Sequence, residues 1–155
     1  MIVEPIPEVP IRYRLIEETD MAFVIDSWIR SYRKRLINRG IDRALYFYGQ
    51  LALIKYLSQT TKVLVACDAK QPMYIVGWGC AKVSDKGEFQ LHYVYVKEDY
   101  RSHGIATAII THLGYRQGKP IMASHWNASA RAIREKYPLL DYNPYLITLG
   151  ADTHV

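Results

Sequence analysis

The chain has 155 residues, half of them hydrophobic, and a formal net charge of +5. That length fits one domain with one core, and that composition excludes a disordered chain. No apolar run approaches the ~20 residues needed to cross a bilayer, and the start lacks a basic segment followed by an apolar one, so no signal peptide is expected.

Residues 1–10 carry Pro5, Pro7 and Pro10. Proline removes a donor and fixes φ, which predicts an extended N-terminal arm. Ile11 to Ile16 alternates apolar residues with Arg12 and Arg14, the period-2 mark of a half-buried strand. Thr19 is placed to cap a helix from Asp20, on which Val24, Ile25, Trp28, Tyr32 and Leu36 recur at helical spacing. Asn38-Arg39-Gly40 breaks that pattern. Asp42 offers a second cap, followed by Leu45, Tyr48, Leu51, Ala52 and Lys55 on a helix ending near Ser58. Lys62 to Cys67 and Tyr74 to Val83 read as strands, with Gly77 and Gly79 marking a bulge in the second. Asp85-Lys86-Gly87 is a hairpin signal, and Glu88 to Val96 is the next strand.

From Val96 the chain enters a charged turn, Lys97 to Tyr100, then Arg101-Ser102-His103-Gly104, then a helix with Ile105, Ile109 and Leu113 on one stripe. Gly114 and Gly118 end it, and Ile121 to Ser124 is a short buried strand. Asn127 caps a last helix with Ala130, Ile133 and Tyr137 inward, Pro138 stops it, and Tyr142 to Leu149 closes the fold as a strand. An antiparallel meander followed by strand–helix–strand predicts a single α/β domain over residues 11–155, its mixed, mostly antiparallel sheet flanked by helices.

The strand–turn–helix is the chemically informative segment. A helix N-terminus exposes backbone N–H groups, and with the helix dipole these suit a phosphate. Gly104 lets the backbone approach a ligand with no Cβ between them. The alternative is an ordinary strand-to-helix connection. A dinucleotide fold needs G-x-G-x-x-G after an early strand, and a nucleotide P-loop needs G-x-x-x-x-G-K-[ST]; the second is absent and the first is a poor match.

The pattern Val96-x-x-x-x-Arg101-x-x-Gly104-x-Ala106 resembles the pyrophosphate-binding signature of the GCN5-related N-acetyltransferases. The element order from Ile11 onward resembles that family too. The resemblance implies an acyl-coenzyme A N-acyltransferase-like fold and acetyl-coenzyme A as cofactor. It implies that backbone groups of Arg101, Ser102, His103, Gly104, Ile105, Ala106 and Thr107 hold the pyrophosphate, with the Arg101 side chain adding charge or bracing the loop. It implies that the backbone of Val94, Tyr95 and Val96 pairs with the pantetheine arm where the sheet splays, and that Asn127 contacts that arm. A plain helix cap is the other reading of Asn127.

Acetyl transfer to an amine needs a base for the amine and an acid for the leaving thiolate. The family often places a glutamate on the strand before the turn. Gln90 stands at that depth here and cannot be a base. Glu88, Gln90, His92 and Val94 are expected on one face of the strand. His92 is then the nearest titratable group, with Glu88 next; a strand histidine satisfied by a neighbour is the alternative. His125 is read as lining the acceptor side or as a surface-loop histidine. Many family members carry a tyrosine acid in the last helix, but Arg134 stands in its place, leaving Tyr137 and Tyr142 as candidate acids or Arg134 as a charge for the thiolate. The Gly-Phe that ends the family run is replaced by Pro138-Leu139.

Of the 13 tyrosines, Tyr32, Tyr46, Tyr48 and Tyr56 fall on the first two helices, where they either border an acceptor or pack onto the sheet. The basic cluster Arg30, Arg33, Lys34, Arg35, Arg39 reads first as a solvated face, second as a surface for an acidic protein partner, third for nucleic acid. Cys67 and Cys80 lack a disulfide or metal spacing and fit a reducing cytoplasm. The expected function is acetyl transfer to an amine of a protein, peptide or small molecule. Its rivals are a non-catalytic interaction protein on the same fold, and a basic nucleic-acid module. A homodimer is left open.

Overall fold

The computed structural model describes residues 10–37, 40–125, 128–137, 139–143 and 146, without the side chains of 32–37 and 128–130. Among the described residues, six strands form one sheet in chain order: β1 (Ile11–Leu15), β2 (Lys62–Asp68), β3 (Ile75–Val83), β4 (Phe89–Val96), β5 (Ile121–Ala123) and β6 (Leu140–Tyr142). The first four pair antiparallel, and β5 and β6 add in parallel. Helices α1 (Met21–Ile37) and α2 (Arg43–Thr60) follow β1; α3 (Ile105–His112) and α4 (Ala128–Lys136) flank β5 in sequence. This is the mixed, mostly antiparallel sheet that the element order predicts.

Strand alternation divides the core between the two faces. Val63, Val65 and Cys67 of β2 pack with Val24, Trp28, Ile54 and Leu57 of α1 and α2. Leu64 and Ala66 pack on the other face with Ile105, Ile109, Ile110 and Ile133 of α3 and α4. At Gly79 α3 lies tightly against the sheet: a methyl built there would stand 2.5 Å from Ile109 Cγ2. A bulge on β3 falls at Val76, beside Gly77 and within the strand expected to carry one.

Several local expectations are corrected. Thr19 does not cap the first helix. A 3-10 turn, Glu18–Asp20, precedes α1, and Asp20 accepts from the Glu17 backbone N–H at 2.8 Å. Asp20 is also held by two bonds from Arg14, at 2.6 and 2.9 Å, so it ties β1 to the start of α1. Asp42 does cap α2, accepting from Ala44 and Leu45 at 3.0 and 3.2 Å. Yet α2 buries Tyr46, Ile54 and Leu57, while Leu45 and Tyr48 are exposed, and it continues to Thr60. Apolar residues surround much of this helix, so spacing alone does not select its inward face.

The expected common face of Glu88, Gln90, His92 and Val94 does not form. Tyr93 pairs with Cys80 and Leu91 with Ala81, leaving His92 as an extra residue in β4. This bulge inverts the alternation: Phe89 and Leu91 face α3 and α4, and after it Val94 and Val96 do. Glu88 lies outside β4, exposed at the hairpin mouth, with its backbone N–H bonded to Ser84 Oγ. The final strand is Leu140–Tyr142, starting earlier and ending sooner than the sequence predicts; Leu146 is helical, and residues 144–145 and 147–155 lie outside the described residues. The expected arm also lies outside them except for Pro10, whose carbonyl accepts from Ala69.

Candidate functional site

Two breaks in regular structure create the site. The first is at β5, which pairs with β4 only from Phe89 to Leu91. Ser124 donates to the Leu91 carbonyl at 3.0 Å, and from there β4 runs on to Val96 without β5 beside it. The ladder between β4 and β5 thus stops at Leu91.

The second break is the turn into α3. A 3-10 turn, Glu98–Tyr100, ends β4, and Arg101 closes it with a backbone bond to Glu98. Ser102 (φ 67°) and Gly104 (φ 79°) then adopt left-handed conformations. A left-handed residue between others turns successive N–H groups toward one point and makes a concavity for anions. The first helical bond runs from the Ala108 N–H to Gly104. Among the described residues, the N–H groups of Ser102 to Thr107 find no acceptor. A Cβ added to Gly104 would meet nothing within 4 Å, so its Cα borders open space.

That space is a recess of about 340 Å³ between the start of α3 and α4. Val96, Tyr100, Arg101, Ser102, Gly104, Ile105, Ala106 and Thr107 line it on one side, and Ala132, Ile133 and Lys136 on the other. Arg101 Nε donates to the Val96 carbonyl at 2.8 Å, bracing the turn against the strand. Lys136 Nζ stands 3.5 Å from Thr107 Oγ1. Unpaired amides, a helix N-terminus and two cations suit a pyrophosphate.

Of the residues expected to hold a cofactor, seven line this recess: Val96, Arg101, Ser102, Gly104, Ile105, Ala106 and Thr107. Val94 is buried in the core beneath α3, and Tyr95 lies on the opposite face near Phe23. His103 is exposed outside the lining, and Asn127 lies outside the described residues. Lys136 and Tyr100 are additions. Lys136 is a basic residue in the last turn of a helix, a signal present in the sequence but overshadowed there by Arg134, which the lining does not include.

On the other face, His92 is buried, and its Nδ1 lies 2.8 Å from Ser124 Oγ. Burial, and then the neighbouring His125 and Lys82, push its pKa down to about 4. His125 is not a surface-loop histidine. It is partly buried, sits edge-on to Trp28 at 4.8 Å, and lies 2.9 Å from Ser124 Oγ. Burial lowers it also to about 4, against a bond to the His92 main chain that favours its charged form. Gln90 and His92 share a small recess with Tyr56, Thr60, Thr61 and Lys82.

Tyr137 packs against Tyr115 at 5.3 Å, which packs against Phe89 at the start of β4, the opposite end of that strand from Val96. Tyr142 is half exposed on β6, in register with Ala123, one residue before Ser124. Of the tyrosines on α1 and α2, Tyr46 is buried with its hydroxyl on the Ile29 carbonyl, while Tyr48 and Tyr56 are exposed. In the basic cluster, Arg30 pairs with Asp26; the side chains of Arg33, Lys34, Arg35 and Arg39 lie outside the described residues.

The fold has relatives among solved structures. A histone acetyltransferase HPA2 and related acetyltransferase from Corynebacterium glutamicum aligns at TM-score 0.57 and 17% identity, over 81% of this chain and 82% of that one. A possible acetyltransferase from Clostridium difficile aligns at TM-score 0.53 and 18% identity, over 86% and 93%. A predicted acetyltransferase with acetyl-CoA from Clostridium acetobutylicum aligns at TM-score 0.49 and 18% identity, over 88% and 94%. No curated protein matches the chain. The model of the acetyltransferase (GNAT) family matches residues 22–114, which span β2 to β4, the turn and α3. The chain belongs to the acetyltransferase (GNAT) family.

Proposed function

We propose that this protein transfers an acetyl group from acetyl-coenzyme A to an amine of a protein, a peptide or a small molecule. One observation carries the reading: Ser102 and Gly104 to Thr107, whose backbone N–H groups have no acceptor among the described residues, line a recess that also holds Arg101 and Lys136. Coenzyme A, when bound, supplies an acyl group activated as a thioester. The amides of Ser102 to Thr107 and the Lys136 ammonium would hold its pyrophosphate, and the backbone of β4 from Val94 to Val96 would pair with its arm as an added strand.

The residues that handle protons follow from position. His92 lies on β4 one residue past the point where β5 ends, whereas Glu88 is exposed at the hairpin. His92 is therefore assigned the amine proton and Glu88 is not. A ring packed into the core, as Tyr137 is, cannot reach the open part of β4; Tyr142 is exposed beside the end of β5 and is the preferred acid. The free thiols of Cys67 and Cys80 support a reducing cytoplasm as the compartment. Among the described residues no helix is long and apolar enough to cross a membrane.

One observation favours a second reading, a cofactor-binding interaction protein without turnover: the recess beside His92 is lined by no carboxylate among the described residues. Thiol release from acetyl-coenzyme A over a panel of amines, peptides and proteins separates the two. Amine-dependent release supports transfer; binding without release across the panel supports the second reading.

A further inference from the structure

The small recess beside His92 has a charge of its own. Its polar lining is Tyr56, Thr60 and Thr61 from the end of α2, Lys82 from β3, and Gln90 and His92 from β4. Register brings these groups together. Phe89 and Leu91 face α3 and α4, so Gln90 between them faces α2. Lys82 is opposite Gln90 in the ladder and shares that face. It lies near enough to His92 for its charge to disfavour a proton on the ring.

The balance of groups is one-sided. Thr60 and Thr61 direct their hydroxyl hydrogens to the Tyr56 and Leu57 carbonyls, at 2.9 and 2.6 Å. That leaves the Lys82 ammonium, the Gln90 amide and the Tyr56 hydroxyl as donors to a ligand. Among the described residues the ion pairs are Arg14–Asp20 and Arg30–Asp26, so Lys82 is in neither. The acids of the adjoining hairpin, Asp85 and Glu88, are exposed and outside the lining. An amine acceptor arrives mostly as an ammonium. A recess whose one fixed charge among the described residues is positive repels it. A carboxylate on the same molecule offsets that repulsion and accepts from the donors. The recess holds about 40 Å³, room for a few water-sized atoms, which suits a carboxylate.

We infer that Lys82 selects the acceptor, and that the acceptor is a small amine carrying a carboxylate, as an amino acid does. The carboxylate sits against Lys82, Gln90 and Tyr56, and the amine points toward His92. This deepens the acetyl-transfer reading and rests on it. In the transfer the free amine nitrogen bonds the acyl carbon, and the carbon–sulfur bond breaks with its electrons on sulfur. The proton of the nitrogen goes to His92, and the carboxylate leaves the step unchanged. A polyamine is disfavoured by the same lining, because its second ammonium would meet Lys82.

The test is thiol release from acetyl-coenzyme A with α-, β- and γ-amino acids, each beside its carboxamide, and with spermidine. A carboxamide keeps the size of the acceptor and removes its negative charge. The wild type should prefer an amino acid over its carboxamide by about tenfold or more in kcat/KM, the worth of one charged hydrogen bond. Lys82→Met should bring that ratio near one, chiefly through KM. Lys82→Arg should keep the preference, and Lys82→Glu should turn it toward spermidine. The ratio compares two acceptors on one variant, so a general loss of folding does not move it. A wild type that acetylates carboxamides or spermidine as well as amino acids overturns the proposal and leaves the transfer reading standing. A preference that persists in Lys82→Met overturns the assignment to Lys82. A chain that binds acetyl-coenzyme A but releases thiol with no member of the panel, nor with proteins or peptides, overturns the transfer reading and the proposal with it.

Discussion

At the scale of single residues, Gly104 has the strongest constraint. Its φ of 79° is left-handed, and the direction of its missing side chain is open space inside the recess. Gly104→Val would strain the turn and place two methyl groups where a phosphate must approach the amides. Affinity for acetyl-coenzyme A should fall at least tenfold while the far-ultraviolet circular dichroism is retained; unchanged affinity in a folded variant would put the cofactor elsewhere. His92 has a different signature. Its folded pKa of about 4 lies below the 6.5 of a free imidazole, so the unfolded chain takes up its proton first as pH falls. Stability is therefore lost on acidification between those two values, by about 2 kcal/mol from pH 7 to pH 5 for this one ring. Urea unfolding at both pH values should show a smaller acid loss in His92→Gln than in the wild type, and equal losses would contradict the burial argument. Tyr142→Phe should lower turnover about tenfold or more, and Tyr137→Phe should leave it nearly intact. The reverse order would move the acid to α4. Gly104 and Arg101 were legible in the sequence because their roles are local to one turn. The meeting of His92, Ser124 and His125 was not, because residues 32 positions apart are joined only by the pairing of β4 with β5.

At the scale of elements, β4 determines most of the site. It pairs with β3 along its length and with β5 only from Phe89 to Leu91, and the His92 bulge changes which residues face α3. A period-2 pattern cannot report an extra residue whose cause lies in the register with β3, so the expected common face of Gln90, His92 and Val94 fails at that point. The stripe of α3 was read correctly, since Ile105, Ile109, Ile110 and Leu113 are all buried. The face of α2 was not, since that helix presents apolar residues to solvent as well as to the core. The close packing of α3 on the sheet gives a prediction of its own. A methyl at Gly79 would fall 2.5 Å from Ile109 Cγ2 and 3.1 Å from Leu113 Cδ1, and both side chains are buried with little room to move. Gly79→Ala should cost about 1–3 kcal/mol by overpacking, measured by urea unfolding. A neutral or stabilising result would mean that α3 can shift away from the sheet, and the recess at its N-terminus would be less rigid than the account requires.

At the scale of the whole molecule, one sheet divides the two tasks. Helices α3 and α4 cover the face with the anion recess, α1 and α2 cover the face with the buried His92, and the pairing of β4 with β5 stops at Leu91 between them. The order of elements that produces this arrangement could be read along the chain, because each strand and helix announces itself by composition and turn residues. The contribution of Lys136 could not, because it depends on how α4 lies against the first turn of α3. The central claim is that this architecture binds acetyl-coenzyme A, and calorimetric titration of the purified protein tests it most directly. The account predicts one site per chain, weakened about tenfold in Lys136→Ala. At a hundred times the dissociation constant the ligand should add about 2.7 kcal/mol to stability, and the melting temperature should rise by roughly 5–10 °C. No heat of binding and an unmoved melting curve at saturating acetyl-coenzyme A would contradict it.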